Sequence, residues 1–185
     1  GTVMNKNVVQ EVLFTDLECD ILLNNATEFN ETKLTTKAPD GQLNYNYVDK
    51  SHRNSTEGKY DLTPELKKMI TDKCSKYGVI GLGPKARIAR YETGQYFRKH
   101  RDKTKYAYQD RIKTFIIQLS NSDDYEGGDL KLYHGKVDGE DIVTTADRTR
   151  GNVIIFDSDI RHELQTVTSG TRYAFVCWLM NYHLS

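Results

Sequence analysis

From about residue 85 to residue 180 the chain runs in short apolar–polar alternations broken by Gly, Asp and Asn, a period-two pattern that predicts strands. The candidate spans are 85–91, 96–102, 112–119, 129–134, 141–145, 152–157, 162–167 and 171–180. No β-α-β alternation interrupts them, so a doubly wound parallel sheet is disfavoured. About eight short strands with turns between them predict a mainly β fold with flanking helices, a two-sheet jelly roll or double-stranded β-helix of cupin-like form.

The first eighty residues read differently. Val8 to Phe14 predicts a strand, and Asp16 is placed to cap a helix running to Ala26, with Leu17, Ile21 and Leu22 at helical spacing. Residues 30–60 mix Asn, Thr, Lys and Tyr around a Pro39-Asp40-Gly41 turn, and no core is visible there. Such a segment is either a lid over a site or a mobile loop. Thr63-Pro64-Glu65 then opens a helix, with a capping hydroxyl, proline in the first turn and an acid beside it. Leu66, Met69, Ile70 and Cys74 form its apolar stripe and Gly78 ends it, so the helix should cover the outer face of a sheet.

Two strands can be read by face. In 171–180 both Tyr173, Phe175, Cys177, Leu179 and Ala174, Val176, Trp178 are apolar, which predicts burial on both sides. Arg172 is then an unusual guest. A buried guanidinium needs a carboxylate partner, supplied either by the protein or by a ligand. In 112–119, Phe115, Ile117 and Leu119 form one face, while Thr114, Ile116 and Gln118 form another that is either solvated or lines a polar cavity.

Composition narrows the field. One domain over residues 1–185 is expected, with 1–80 forming an N-terminal strand, helices and lid-like loop, and 81–185 the jelly-roll core. The 26 basic and 26 acidic residues balance, so no global field favours nucleic acid or an anionic membrane. No span has membrane length, and no signal-peptide pattern opens the chain, so a cytoplasmic protein is expected. The three cysteines, Cys19, Cys74 and Cys177, are too few and too scattered for a disulfide framework or a zinc site, and they suit a reducing compartment.

The chemistry concentrates in Arg90 to Asp102. His100 and Asp102 are two apart, so on an extended strand an imidazole and a carboxylate leave the same face. That pair supplies two of the three ligands of a 2-His-1-carboxylate facial triad for non-haem Fe(II). Alone, a His-x-Asp is most simply a solvated surface pair. Downstream, however, come Asp124-Tyr125-Glu126-Gly127-Gly128-Asp129-Leu130, then Gly151-Asn152-Val153-Ile154-Ile155-Phe156, then His162, then Val167-Thr168-Ser169-Gly170-Thr171-Arg172-Tyr173. In this order, after Arg90-Tyr91, the motifs resemble the Fe(II)/2-oxoglutarate dioxygenases of the prolyl 4-hydroxylase group. The similarity is greatest to small prolyl/lysyl-hydroxylase-type domains of bacteria and phages, and runs from about Lys85 to Leu179.

The resemblance implies that His100, Asp102 and His162 hold Fe(II), and that Arg172 holds the distal carboxylate of 2-oxoglutarate. It extends the cosubstrate site to Tyr91, Gln118, Thr114 and Trp178, although many relatives have a tyrosine where Gln118 stands and Tyr91, on sequence alone, reads more simply as a core aromatic. It implies O2 consumption, release of succinate and CO2, ascorbate as a supporting reductant, and hydroxylation of an amino-acid side chain, peptidyl proline first. Halogenating relatives lack the carboxylate, so Asp102 favours hydroxylation. A peptide or protein partner follows, without nucleic acid or membrane. Alternatives are a free amino acid or small metabolite as substrate, a nucleic-acid demethylase, or a cupin-like metal-binding module without turnover. The demethylases carry a second arginine where this chain has Trp178. Tyr45, Tyr47, His52 and Arg53 either touch substrate or belong to a solvated loop. Asp157 or Asp159 either supports His162 or is a surface turn residue. His134 and His183 have no partner at ligand spacing and are expected to be bystanders.

Overall fold

The computed structural model describes residues 3–4, 7–31, 34–37, 43–47, 52–79, 81–105 and 108–181. The strands of the N-terminal part are β1 (Val3–Met4), β2 (Val8–Val12), β3 (Ala26–Glu31), β4 (Leu34–Lys37), β5 (Leu43–Tyr47), β6 (Arg53–Asn54) and β7 (Thr56–Tyr60), with helix α1 (Asp16–Asn24) after β2. Helix α2 (Pro64–Cys74) leads to β8 (Ala86–Glu92), β9 (Tyr96–His100), β10 (Arg111–Gln118), β11 (Tyr125–Gly127) and β12 (Leu130–Val137). The chain closes with β13 (Glu140–Thr145), β14 (Asn152–Asp157), β15 (Arg161–Leu164) and β16 (Val167–Met180).

Two antiparallel sheets face one another as a jelly roll. The larger has the order β1-β2-β14-β10-β16-β8-β7-β3, with β11 also on β16; the smaller runs β13-β12-β15-β9-β6, and β4 and β5 form a two-stranded sheet. Because side chains alternate along a strand, the central strands feed two cores. Phe115 and Ile117 of β10, Ile155 of β14 and Phe175 and Cys177 of β16 lie on the outer face, under Leu22 of α1 and Ile70 and Cys74 of α2. Ile116, Ile154, Phe156, Ala174, Val176 and Trp178 point the other way, between the sheets, against Leu132 and Leu164. Each such buried side chain is worth about 1.5–3 kcal/mol relative to exposure. The expectations for 171–180 and for the outer-face helix therefore hold.

Helix α1 differs from its expectation. Thr15, not Asp16, caps it: the Thr15 hydroxyl accepts from the Glu18 amide and the Glu18 carboxylate accepts from the Thr15 amide, and the helix ends at Asn24. Its buried residues are Cys19 and Leu22, whereas Leu17 is 70% exposed and Ile21 44%. The apolar spacing of Leu17 and Ile21 marks the solvent side.

The described parts of the polar stretch 30–60 include strands as well as loop. β7 pairs with β8 and with β3, extending the large sheet. Backbone ladders hold this edge, and they leave no apolar signature in Thr-Glu-Gly-Lys-Tyr. Gly58 lets the Phe29 ring lie on β7; a Cβ there would stand 2.8 Å from it. The side chains of Tyr45 and Tyr47, and all of His183, lie outside the described residues. Among the described residues no helix is long and apolar enough to cross a membrane, and the thiols of Cys19, Cys74 and Cys177 are buried and free.

Candidate metal centre

His100 ends β9 and His162 sits in β15, and the two are direct partners across the antiparallel ladder. Opposed residues project from the same face, and here their ring centroids are 4.2 Å apart. Phe97 stacks on His100 at 3.4 Å and Phe156 meets His162 edge-on at 4.8 Å, fixing both rings. Asp102 reaches the same point by another route. The strand expected over 96–102 stops at His100, and Asp102 lies in a bend, its amide and that of Lys103 both donating to the Ser158 carbonyl.

The three side chains converge. Asp102 Oδ1 stands 3.5 Å from His100 Nε2 and 3.4 Å from His162 Nε2, and one ligand atom from each residue falls within 4.8 Å of the others. His100 Nδ1 lies 2.7 Å from the Arg98 carbonyl and His162 Nδ1 2.9 Å from the Ile160 carbonyl. A carbonyl only accepts, so both Nδ1 atoms carry protons and both Nε2 atoms are turned inward, the tautomer a metal requires. Ile160, rather than Asp157 or Asp159, supports His162; Asp157 pairs with Lys113 and the Asp159 carbonyl accepts from Arg101. On Asp102, Oδ2 accepts from the Thr114 hydroxyl at 2.8 Å and, more weakly, from the Trp178 indole at 3.4 Å. Ser158 Oγ lies 3.0 Å from the Thr114 hydroxyl and completes the chain.

Burial sets the electrostatics. It pushes the His100 imidazole down to about 4, helped by the neighbouring His162. Burial works against Asp102 as well, but the two imidazoles outweigh it and hold its carboxyl well below the usual range. At His162 burial again opposes charge, yet Asp102 prevails and raises the imidazole. The two rings share one carboxylate, and their imidazoles shift in opposite directions.

A narrow cavity opens from these residues, lined also by Tyr91, Arg172, Arg53 and Arg87. Arg172 is 4% exposed and lies opposite Tyr91 across the β16–β8 ladder. Among the described residues no carboxylate or hydrogen-bond acceptor meets its guanidinium. Thr114 and Trp178 stand behind Asp102, not on the cavity wall. Gln118 is committed elsewhere, its amide donating to the Tyr125 hydroxyl at 2.9 Å and the Ser120 carbonyl at 3.2 Å. His52 packs against Phe97 and His100 at 5.7 and 6.3 Å, and Arg53 lies 4.2 Å over the Phe97 ring, so both belong to the site's surroundings. His134 bonds to Thr144 on the β12–β13 hairpin.

Sequence reasoning passed over Ser158, Arg87 and Arg111. Arg87 shares a face with Ala89 and Tyr91 at i, i+2 and i+4, a signal that was available. Ser158 and Arg111 gave none, since their contacts are made across the fold. Glu57 pairs with Arg87 at 3.2 Å. Burial, then the nearby Arg87, pulls both the Arg53 and the Arg111 guanidinium down to about 10.

A jelly roll with two imidazoles and one carboxylate converging in its interior is the architecture of a mononuclear non-haem iron oxygenase. The 2OG-Fe(II) oxygenase superfamily profile matches residues 86–180, just over half of the chain, and the protein belongs to that family. It is therefore an oxidoreductase, a dioxygenase using Fe(II), 2-oxoglutarate and O2. A PKHD-type hydroxylase of Acaryochloris marina is 25% identical over 162 residues, 83% of this chain and 72% of that protein. A PKHD-type hydroxylase of Rippkaea orientalis is 31% identical over 95 residues, 50% of this chain and 40% of that protein. Among solved structures, a prolyl hydroxylase from Trichoplax adhaerens, in complex with a hypoxia-inducible-factor peptide fragment, superposes with a TM-score of 0.68 at 18% identity, over 97% of this chain and 86% of that one. These distant structures share the fold.

Proposed function

We propose that this protein hydroxylates a prolyl side chain within a peptide, with Fe(II) held by His100, Asp102 and His162 and the distal carboxylate of 2-oxoglutarate held by Arg172. The observation that carries this reading is Arg172 itself, a buried guanidinium with no carboxylate partner among the described residues, on the wall of the cavity that contains the triad. The donor set fits a ferrous ion: two neutral Nε2 atoms and one carboxylate oxygen, each held by its outer atom.

When bound, iron and 2-oxoglutarate supply the oxidising chemistry, releasing succinate and CO2 and leaving one oxygen atom on the substrate. The chain's part is placement and exclusion. Thr114 and Trp178 occupy Asp102 Oδ2, which leaves Oδ1 facing the imidazoles as a single donor. The apolar wall of Ile116, Leu130, Leu164 and Val176 keeps water from the reacting centre. Tyr91, facing the same cavity, is assigned to the cosubstrate.

Support for a peptide comes from the fold shared with a prolyl hydroxylase in complex with a peptide fragment. Ascorbate is expected to sustain turnover by keeping the iron ferrous. The test is succinate release from 2-oxoglutarate with Fe(II), ascorbate and a panel of proline-containing peptides. Mass spectrometry should find one added oxygen on proline. Succinate without any oxidised prolyl product, across the panel, would remove this substrate assignment.

A further inference from the structure

The entrance to the cavity holds more positive charge than the reaction needs. Arg53 and Arg87 line the cavity beside the triad. Arg87 and Arg111 also line a larger groove of about 800 Å³, which adjoins the cavity at Arg87 and includes the Trp178 ring. That ring is flanked by both, with the Arg111 guanidinium at 3.8 Å and that of Arg87 at 5.0 Å. Among the described residues, Arg87 alone of the three has a carboxylate partner, Glu57. Arg53 is 5% exposed, and its partners are the Ser55 hydroxyl and the face of Phe97. Arg111 donates to the Asp102 carbonyl and packs on Tyr108 and Trp178.

A charge count shows what remains. Fe(II), Asp102, the 2-oxoglutarate dianion and Arg172 together sum to zero, and Glu57 neutralises Arg87. Arg53 and Arg111 are left over. The outer groove's acids Glu28, Glu31 and Asp110 are exposed, so water screens them from these two guanidinium groups. Like charges gathered at a desolvated site are unfavourable in themselves, and such a cluster marks a place where an anion completes the balance.

We infer that the substrate is anionic at this point: a carboxylate close to the hydroxylated residue, from a neighbouring Asp or Glu or from a free C-terminus, docks between Arg53 and Arg111 at the rim of the Trp178 ring. This deepens the prolyl reading and rests on it for the target residue alone. Arg53 and Arg111 then determine specificity, accepting acidic sequences and rejecting basic ones. Repulsion of a lysine at the same place sharpens the choice beyond what attraction alone achieves.

Trp178 is the chain's single tryptophan, so its fluorescence reports on this cluster. The protein, loaded with Zn(II) and N-oxalylglycine to prevent turnover, is titrated with short proline-centred peptides identical except for Glu, Gln or Lys beside the proline. A second arm uses N-acetylglutamate against N-acetylglutamine. The acidic ligand in each arm should bind roughly tenfold or more tightly than its neutral counterpart, the size of one charge-assisted hydrogen bond. The lysine peptide should bind most weakly. Arg111→Gln and Arg53→Gln should each erase most of the acidic preference, and Arg53→Lys should keep part of it. Equal binding of Glu and Lys peptides, or no charge-dependent signal in either arm, overturns the inference without any variant. The two readings separate under turnover with Fe(II). An acidic peptide that binds selectively yet gains no oxygen on proline retains the anion site and removes the prolyl assignment. Equal hydroxylation of Lys and Glu peptides does the reverse.

Discussion

The Thr114 hydroxyl donates to Asp102 Oδ2 at 2.8 Å from β10 of the facing sheet, while Oδ1 faces both imidazoles. This contact decides how the carboxylate can bind. With Oδ2 occupied, Asp102 offers Oδ1 alone; freed, it could turn and offer both oxygens, closing a position that the cosubstrate or O2 requires. Thr114→Val should therefore weaken metal binding by about 10–100-fold, the usual effect of removing an outer partner of a ligand. Thr114→Ser should stay close to the parent. Chelator competition with Fe(II) or Co(II) measures both, and equal affinities for Thr114→Val and parent would show that the hydroxyl does not hold the ligand.

The triad itself should behave as a unit. His100→Ala, Asp102→Ala and His162→Ala each leave two protein donors, which seldom retain Fe(II) against water. Each variant should lose metal-dependent succinate formation and return substoichiometric iron after desalting. In the parent, chelation should stop turnover and added Fe(II) restore it, while Zn(II) fills the site without supporting the reaction. Normal iron content in any of the three variants would remove that residue from the ligand set.

Much of this was legible in the residue pattern, and the rest was hidden for identifiable reasons. The spans 152–157 and 171–180 are apolar on both faces because they lie between the helices and the second sheet, and that burial is written into alternate positions. Arg172 stood out because it interrupts such a strand. β7 escaped notice because a strand close to the sheet's edge is held by backbone hydrogen bonds, which place few demands on side chains. Ser158 was invisible because its carbonyl and hydroxyl act on residues far along the chain, Asp102, Lys103 and Thr114. In α1, apolar spacing misled: Leu17 and Ile21 repeat at i and i+4 on the solvent face, while Cys19 and Leu22 form the buried one.

Gly151 marks where β14, which feeds both cores, begins. Its φ is +90°, and a Cβ built there would stand 2.0 Å from the Phe14 carbonyl oxygen, in the turn where Gly151 accepts the Leu13 and Phe14 amides. Gly78, at φ +78°, has nothing within 4 Å. Gly78→Ala should cost only the conformational penalty, about 1 kcal/mol. Gly151→Ala must also displace backbone and should cost about 3 kcal/mol. Urea midpoints at constant slope compare them directly; equal losses would mean the β2–α1 junction yields freely.

Arg172 gives the last prediction, because its burial without a carboxylate has two opposite consequences. If its partner is 2-oxoglutarate, removing it should weaken cosubstrate binding by the value of a charge-assisted fork, about 1.5–3 kcal/mol per bond, a ten- to hundredfold rise in the apparent KM for 2-oxoglutarate. The folded protein should meanwhile lose little stability, since an unpaired buried charge is a liability that Arg172→Leu relieves. Arg172→Lys keeps the charge but not the planar fork, and should fall between. A structural guanidinium would behave the other way round, with an unchanged KM and a marked fall in the unfolding midpoint. Measuring both on Arg172→Leu thus separates a cosubstrate anchor from a core residue.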